Sequence, residues 1–141
     1  MRKVLFTSGL YIISLLCGIH SAFACGGVGP CAGTQGGKHG HAHLIVYDAN
    51  KSVIEIPNNI GRTEAMKPDG QTSFCYTAVH THDLSGTLHL VLGKGNDLTL
   101  KSFLSKWNPD LLKGKVTVSG KKIKNPNSLR IKSGMHIEIA L

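Results

Sequence analysis

The histidines of this chain are the side chains best placed to carry out chemistry. Six of the eight histidines fall in two short stretches of sequence, and they are His39, His41, His43, His80, His82 and His89. In an extended strand, side chains two residues apart share a face, so each H-x-H pair presents two imidazoles side by side. Imidazole suits zinc, copper, iron and nickel, and a site needs three or four such groups at one point. Two H-x-H strands lying next to each other would supply that site.

The histidines differ in how firmly the sequence should hold them. His43 begins an expected strand, whereas His39 and His41 lie in or beside a glycine-rich segment. A flexible histidine-rich segment can bind Cu(II) or Zn(II) weakly without a preformed site. We therefore expect a Cu(II) or Zn(II) site with these ligands: His43, His80, His82 and His89. The alternative is a hydrogen-bonded cluster of structural histidines that braces the turn from Asp83 to Gly86. His136 stands alone in the last strand, so we expect it to be structural.

Two further residues have two interpretations each. Asp83 follows the H-T-H run. Its carboxylate either accepts a hydrogen bond that orients one of the imidazole ligands or begins an Asx-turn. The two roles are compatible. Cys75 is either a soft copper ligand or half of a disulfide, and an exported protein favours the disulfide.

The first 24 residues have the three parts of a secretory signal. Met1-Arg2-Lys3 is basic, the run from Val4 to Ile19 is mostly apolar, and Ala22-Phe23-Ala24 is an A-x-A end. We expect cleavage after Ala24 and a periplasmic or secreted protein that does not span a membrane. Cys25 would then be the first residue, but Ala22 and Phe23 do not match a lipid-attachment signal.

Cleavage would leave three cysteines, Cys25, Cys31 and Cys75. In an oxidising compartment, three cysteines make one disulfide and one remaining thiol. A Cys31–Cys75 disulfide would tether the N-terminal segment to the folded domain, while a Cys25–Cys31 disulfide would close a small local loop. The sequence leaves both pairings open.

The chain is basic, with 16 Lys and Arg against 8 Asp and Glu and a net charge of +8. Without Arg2 and Lys3 the basic count falls from 16 to 14, and the net charge to +6. Several lysines near the C-terminus alternate with apolar residues, which is typical of the solvated face of a sheet rather than a nucleic-acid site. We expect no specific nucleic-acid partner, although attraction to an anionic surface or polymer fits the charge.

Residues 25–40 contain seven glycines and no aromatic residue, so we expect a flexible arm. Residues 41–141 are long enough for one small domain. Its patterns predict a hairpin around Asp48–Lys51, a loop from Gly61 to Ser73, strands at 74–82 and 87–92, a helix capped by Thr99, and further strands to the end. The expected fold class is α+β, with a small mixed sheet packed on one helix in a roll of the β-grasp kind.

Several motifs together resemble those of a family of small exported or membrane-tethered domains of bacteria and archaea with no assigned activity. They are H-x-H-x-H-L, I-P-x-x-I-G, C-Y-x-x-x-H-T-H-D-x-S-G-x-x-H, T-L-x-x-F-x-x-x-W and G-K-V-T-V-x-G-K, spread over residues 39–141. The resemblance implies a compact β-rich domain whose recurrent polar positions include His43, Cys75, His80, His82, Asp83, Ser85, Gly86 and His89. The family has an acidic residue two positions after the last of these, where this chain has Val91.

The sequence argues against an enzyme. Ser85 lies near His82 and Asp83, but the chain lacks a G-x-S-x-G motif and the strand-to-helix turn that such a nucleophile needs. A hydrolytic metal site would also need a general base, for which Asp83 and Glu138 are the candidates. We expect a non-catalytic metal-binding domain. The alternative is a non-enzymatic interaction module, in which the histidines are structural and the basic surface meets a protein partner or an anionic polymer.

Overall fold

The computed structural model of the protein describes residues 38–66 and 69–141. The expected signal at 1–24, Cys25, Cys31 and residues 25–37 of the expected arm lie outside the described residues. Cleavage, lipidation and the pairing of Cys31 with Cys75 therefore stay predictions.

The described chain is built mainly from strands. Its elements are β1 (Lys38–Tyr47), β2 (Val53–Ile54), β3 (Arg62–Met66), β4 (Thr72–Tyr76), β5 (Val79–His80), β6 (Thr87–Leu92), α1 (Leu100–Leu104), a 3₁₀ helix (Pro109–Lys113), β7 (Lys115–Val118), β8 (Lys121–Lys122), a 3₁₀ helix (Pro126–Ser128) and β9 (His136–Ala140). Seven of the strands form a mixed sheet in the order β5-β6-β1-β9-β7-β8, with β2 beside the C-terminal half of β1. The other two, β3 and β4, form a separate two-stranded sheet.

The central strand β1 separates the two faces of the large sheet. Its buried residues Ala42, Leu44 and Val46 alternate with residues that are exposed or half-buried. β1 pairs antiparallel with β6 and parallel with β9, so this alternation continues across the sheet. Leu88 and Leu90 on β6 and Ile137 and Ile139 on β9 are fully buried on the inner face. The histidines of β1 consequently lie on the opposite, outer face.

One short helix completes the core on the inner face. The Thr99 hydroxyl accepts a hydrogen bond from the Ser102 backbone N–H, which caps α1 as its sequence predicts. Leu100, Phe103 and Leu104 are fully buried and belong to the same apolar cluster as the inner face of the sheet. The helix that the sequence predicts after Thr99 is thereby confirmed, and it is five residues long.

The structure corrects three boundaries. β1 begins at Lys38, so Lys38, His39 and Gly40 belong to the sheet and not to a flexible arm. The expected loop from Gly61 to Ser73 instead contains most of the β3–β4 hairpin, whose sequence lacks the alternation of apolar and polar residues that would reveal strands. The expected strand at 74–82 is interrupted after Tyr76 and resumes only at Val79–His80.

The mixed sheet and its single helix agree with the expected architecture. The helix has only five residues, so the described chain is mostly β, and the β-grasp roll stays a prediction. Among the described residues, no helix is both long and apolar enough to cross a bilayer.

Gly86 lies in a turn that should not tolerate a side chain. Its φ is +77°, and a Cβ there would lie 2.4 Å from the carbonyl oxygen of Leu44, a residue of β1 that lies against this turn. We expect Gly86→Ala to lower the free energy of unfolding by about 3 kcal/mol. Gly120 has the same φ but open space around it, so Gly120→Ala should cost about 1 kcal/mol. Urea unfolding of both variants checks this, and equal losses would contradict the role of the Leu44 contact.

Candidate metal centre

Strand register brings histidines from three strands into one row on the outer face of the sheet. His41 on β1 lies directly opposite His89 on β6, and His89 lies directly opposite His80 on β5. His82 follows two residues after His80, just beyond the end of β5. Side chains directly opposite one another on neighbouring strands have Cβ atoms about 5 Å apart, which is close enough for their rings to meet.

His80, His82 and His89 form the tightest part of this row. One ligand atom from each lies within 4.8 Å of the other two, an arrangement that could hold a metal ion. The His82 and His89 rings are 4.4 Å apart between centroids, and His80 lies 4.8 Å from His82. His80 is 4% exposed, His89 is half-buried and His82 is exposed, so the cluster runs from the protein interior to its surface.

The protonation state of His80 follows from its backbone partner. The Nδ1 atom lies 2.9 Å from the Thr77 carbonyl oxygen. A carbonyl only accepts, so Nδ1 carries the proton and Nε2 keeps its lone pair. Such a carbonyl partner is the usual way in which proteins fix a metal-binding imidazole. His80 Nε2 lies 3.2 Å from His82 Nε2, so in the metal-free protein His82 donates a hydrogen bond to it.

A loop from Pro57 to Gly61 holds the segment that carries His80 and His82. The buried Thr81 hydroxyl donates to the Pro57 carbonyl and accepts from the Ile60 N–H, and the Thr81 N–H donates to the Ile60 carbonyl. The Thr77 N–H donates to the carbonyl of Gly61, whose φ is +82°. Both ends of the histidine segment are therefore fixed to the same loop.

Tyr76 packs against the cluster from the small sheet. Its ring centroid is 4.6 Å from that of His80 and 4.8 Å from that of His82. Because Tyr76 is the last residue of β4, the β3–β4 hairpin contributes one wall of the site. This contact limits the positions open to both imidazoles.

The surroundings of the cluster disfavour positive charge on its histidines. Burial lowers the pKa of His80 to about 4, and repulsion from His82, His89 and His39 adds to this against the opposing Thr77 hydrogen bond. Burial also lowers the pKa of His89, with repulsion from His82 and His41. Imidazole must be neutral to bind a metal, so these shifts keep the ligand form available.

Asp83 forms the Asx-turn that is one of its two expected roles. Its Oδ1 accepts a hydrogen bond from the Ser85 N–H at 2.9 Å, and hydrogen bonds from Ser85 lower the pKa of the Asp83 carboxyl. The charges of His89 and His82 lower that pKa further, so the carboxylate lies near the cluster. Ser85 itself exchanges hydrogen bonds with Thr87.

His43 lies outside the cluster of three. Its Nε2 donates to the Ser85 carbonyl oxygen at 3.0 Å, so the lone pair of this imidazole is on Nδ1. Nδ1 is buried and has no hydrogen-bond partner within the described part of the chain. The ring stacks on His136 at 5.1 Å, directly across the β1–β9 pairing, so His136 is not isolated as its place in the sequence suggests.

Cys75 is buried on β4, where its Sγ lies 3.2 Å from the Thr63 hydroxyl. It does not belong to the histidine cluster. His39 and His41 are exposed on β1, and the His41 ring meets that of His89 at 4.7 Å.

The contribution of Tyr76, Thr77 and Thr81 was not evident from the sequence. Thr81 separates two histidines, and its hydroxyl holds the loop that starts at Pro57, 24 residues earlier. The motif I-P-x-x-I-G and the H-T-H run are therefore two halves of one structure. Only the occurrence of both motifs in one chain hinted at this link.

Replacing Thr81 tests whether its hydroxyl stabilises the segment that carries His80 and His82. In Thr81→Val, the buried Ile60 N–H loses its acceptor and the Pro57 carbonyl loses its donor, so we expect the free energy of unfolding to fall by about 2 kcal/mol. Thr81→Ser keeps the hydroxyl and should recover most of the loss due to missing hydrogen bonds. Urea unfolding measures both. A valine variant as stable as the serine variant would contradict the role of these hydrogen bonds.

Acid should destabilise the metal-free protein through His80. Its pKa is about 4 in the folded state against 6.5 normally, so between these values the unfolded chain binds more protons. The stabilisation is therefore complete above pH 6.5 and is lost as the pH falls towards 4. Urea midpoints across this range measure it, with His80→Gln as the control that should show a weaker dependence. Identical pH profiles would contradict the shifted pKa of His80.

Comparison of the chain with protein-family models, curated proteins and solved structures finds no match. The resemblance to small exported bacterial and archaeal domains therefore stays a prediction, and function is inferred from the geometry of the histidines.

Proposed function

We propose that this protein binds a metal ion through His80, His82 and His89. The observation that carries the proposal is the fixed lone pair of His80 Nε2, which lies 3.2 Å from His82 Nε2. Two imidazole nitrogens on a tetrahedral zinc ion, with Zn–N bonds of about 2.0–2.1 Å, are about 3.3 Å apart. His80 and His82 thus already have the spacing of two zinc ligands.

Only a small movement of the side chains is needed to bring all three imidazole nitrogens to one metal ion. The longest separation in the cluster is within 4.8 Å, so reaching a tetrahedral edge requires a shift of at most about 1.5 Å. His82 is exposed and His89 half-buried, so side-chain rotation can supply this shift, whereas His80 is held by Thr77.

Three imidazoles with an open fourth position fit the tetrahedral coordination that Zn(II) prefers. Cu(II) nevertheless binds imidazole more tightly than Zn(II) does in general, so it can compete for the same ligands.

The proposed activity is binding rather than catalysis. Three protein ligands leave a fourth position for water, an arrangement that catalytic zinc sites share. The nearby carboxylate of Asp83 is held by the Ser85 N–H in the turn, and the Ser85 hydroxyl is bonded to Thr87. Both groups therefore already have hydrogen-bond partners within the turn. Export to the periplasm or the exterior, inferred from the first 24 residues, is part of the proposal.

Zinc titration tests the proposal. A bound ligand stabilises the folded state by about 2.7 kcal/mol at a free concentration of 100 Kd, so zinc should raise the Tm of the metal-stripped protein. His80→Gln and His89→Gln should abolish that rise. Co(II) substituted into the site should give the intense visible absorption of tetrahedral cobalt, and this absorption should disappear in the same variants.

His136→Gln is the matched control, since His136 is an exposed histidine on the same sheet face but outside the cluster. This variant should keep the zinc-dependent rise in Tm. If zinc and copper leave the Tm of the wild-type protein unchanged, the proposal is wrong, and the alternative of a structural histidine cluster in an interaction module is favoured.

A further inference from the structure

The second histidine pair, His39 and His41, is part of a well-ordered strand. On one side, His41 pairs with His89 and His39 with Val91 of β6. On the other side, the Gly134 N–H donates to the His41 carbonyl at 2.7 Å, and the His41 N–H donates to the Ser133 hydroxyl at 3.3 Å. The backbone of His41 is therefore held on both edges of β1, and the pairing with β6 sets the direction of both histidine side chains.

The residue between them shows how tightly this strand is held. Gly40 is buried, and a Cβ at this position would lie 3.0 Å from the Cβ of Ser133. Gly40 therefore points inward, and His39 and His41 both point outward, where both are exposed. Two residues along a strand span about 6.6 Å, a distance across which two imidazole side chains can converge on one ion.

The pair also lies beside the proposed metal site. The His41 ring meets the His89 ring edge-on, with centroids 4.7 Å apart, while His41 does not contribute a ligand atom to the cluster of three. An ion held by His39 and His41 would be next to the cluster and open to solvent. The two positions would share one face of the sheet but no ligand.

We propose that His39 and His41 form a second metal position, separate from the site of His80, His82 and His89, and that this position takes Cu(II). Two imidazoles leave the remaining coordination positions to water, which suits the tetragonal N,O geometry of Cu(II), and Cu(II) has the highest affinity for such ligands among the divalent metals. With two ligands rather than three, and with a neighbouring cation to repel it, the second ion binds more weakly than the first.

Copper titration of the full chain, followed by calorimetry and by electron paramagnetic resonance, tests this. The wild-type protein should bind two equivalents of Cu(II), the second at least tenfold more weakly than the first. His39→Gln combined with His41→Gln should leave one tight equivalent. His82→Gln combined with His89→Gln should leave one weak equivalent with imidazole nitrogen coordination. His136→Gln should still bind two.

The outcomes separate the two sites. If the wild-type protein binds one equivalent and the change at His39 and His41 does not alter it, the second position does not exist and the cluster stands. If two equivalents persist after that change, the second ion is bound elsewhere and the proposal is also wrong. If the single equivalent is lost with His39 and His41, the pair stands and the cluster fails. Because His39 and His41 are exposed, unchanged urea unfolding of that variant should confirm its fold.

Discussion

The register of the central strand β1 is the constraint on which the rest of the structure depends. Its inner residues are small or aliphatic and fully covered, and its outer residues include three histidines. Side chains alternate strictly along a strand, so a slip by one residue would bury the histidines and expose Leu44 and Val46. The free energy of burying the apolar face therefore also determines which histidines meet on the other face. Core packing and candidate metal chemistry are set by the same pairing.

The cluster is ordered from its buried end towards the solvent. His80 is fixed by a backbone carbonyl, and the segment that carries it is held by the buried hydroxyl of Thr81. His82 and His89 have fewer restraints and greater exposure. Under the proposed function, His80 would be positioned before an ion binds and the other two side chains would adjust to it, which reduces the entropy lost on binding.

Much of this arrangement was predictable from local patterns, because strand alternation, turn residues and helix capping act over a few residues. The cap at Thr99 and the grouping of His80, His82 and His89 follow from such patterns. His39 and His41, by contrast, were expected in or beside a flexible arm and lie in β1. The separation of His43 from the cluster did not follow from local patterns, since it depends on the Ser85 carbonyl 42 residues away. The β3–β4 hairpin and the contact of Tyr76 were also missed, because the sequence of this hairpin does not alternate between apolar and polar residues.

The space around Gly40 has a consequence for how this sequence can diverge. The two neighbouring histidines point into solvent, whereas a Cβ on the glycine between them would lie 3.0 Å from the Cβ of Ser133, closer than most real contacts of this kind. Substitution of either histidine should therefore cost less stability than substitution of Gly40. We expect related chains that lack His39 and His41 to keep the glycine between them, because the position of the strand depends on it.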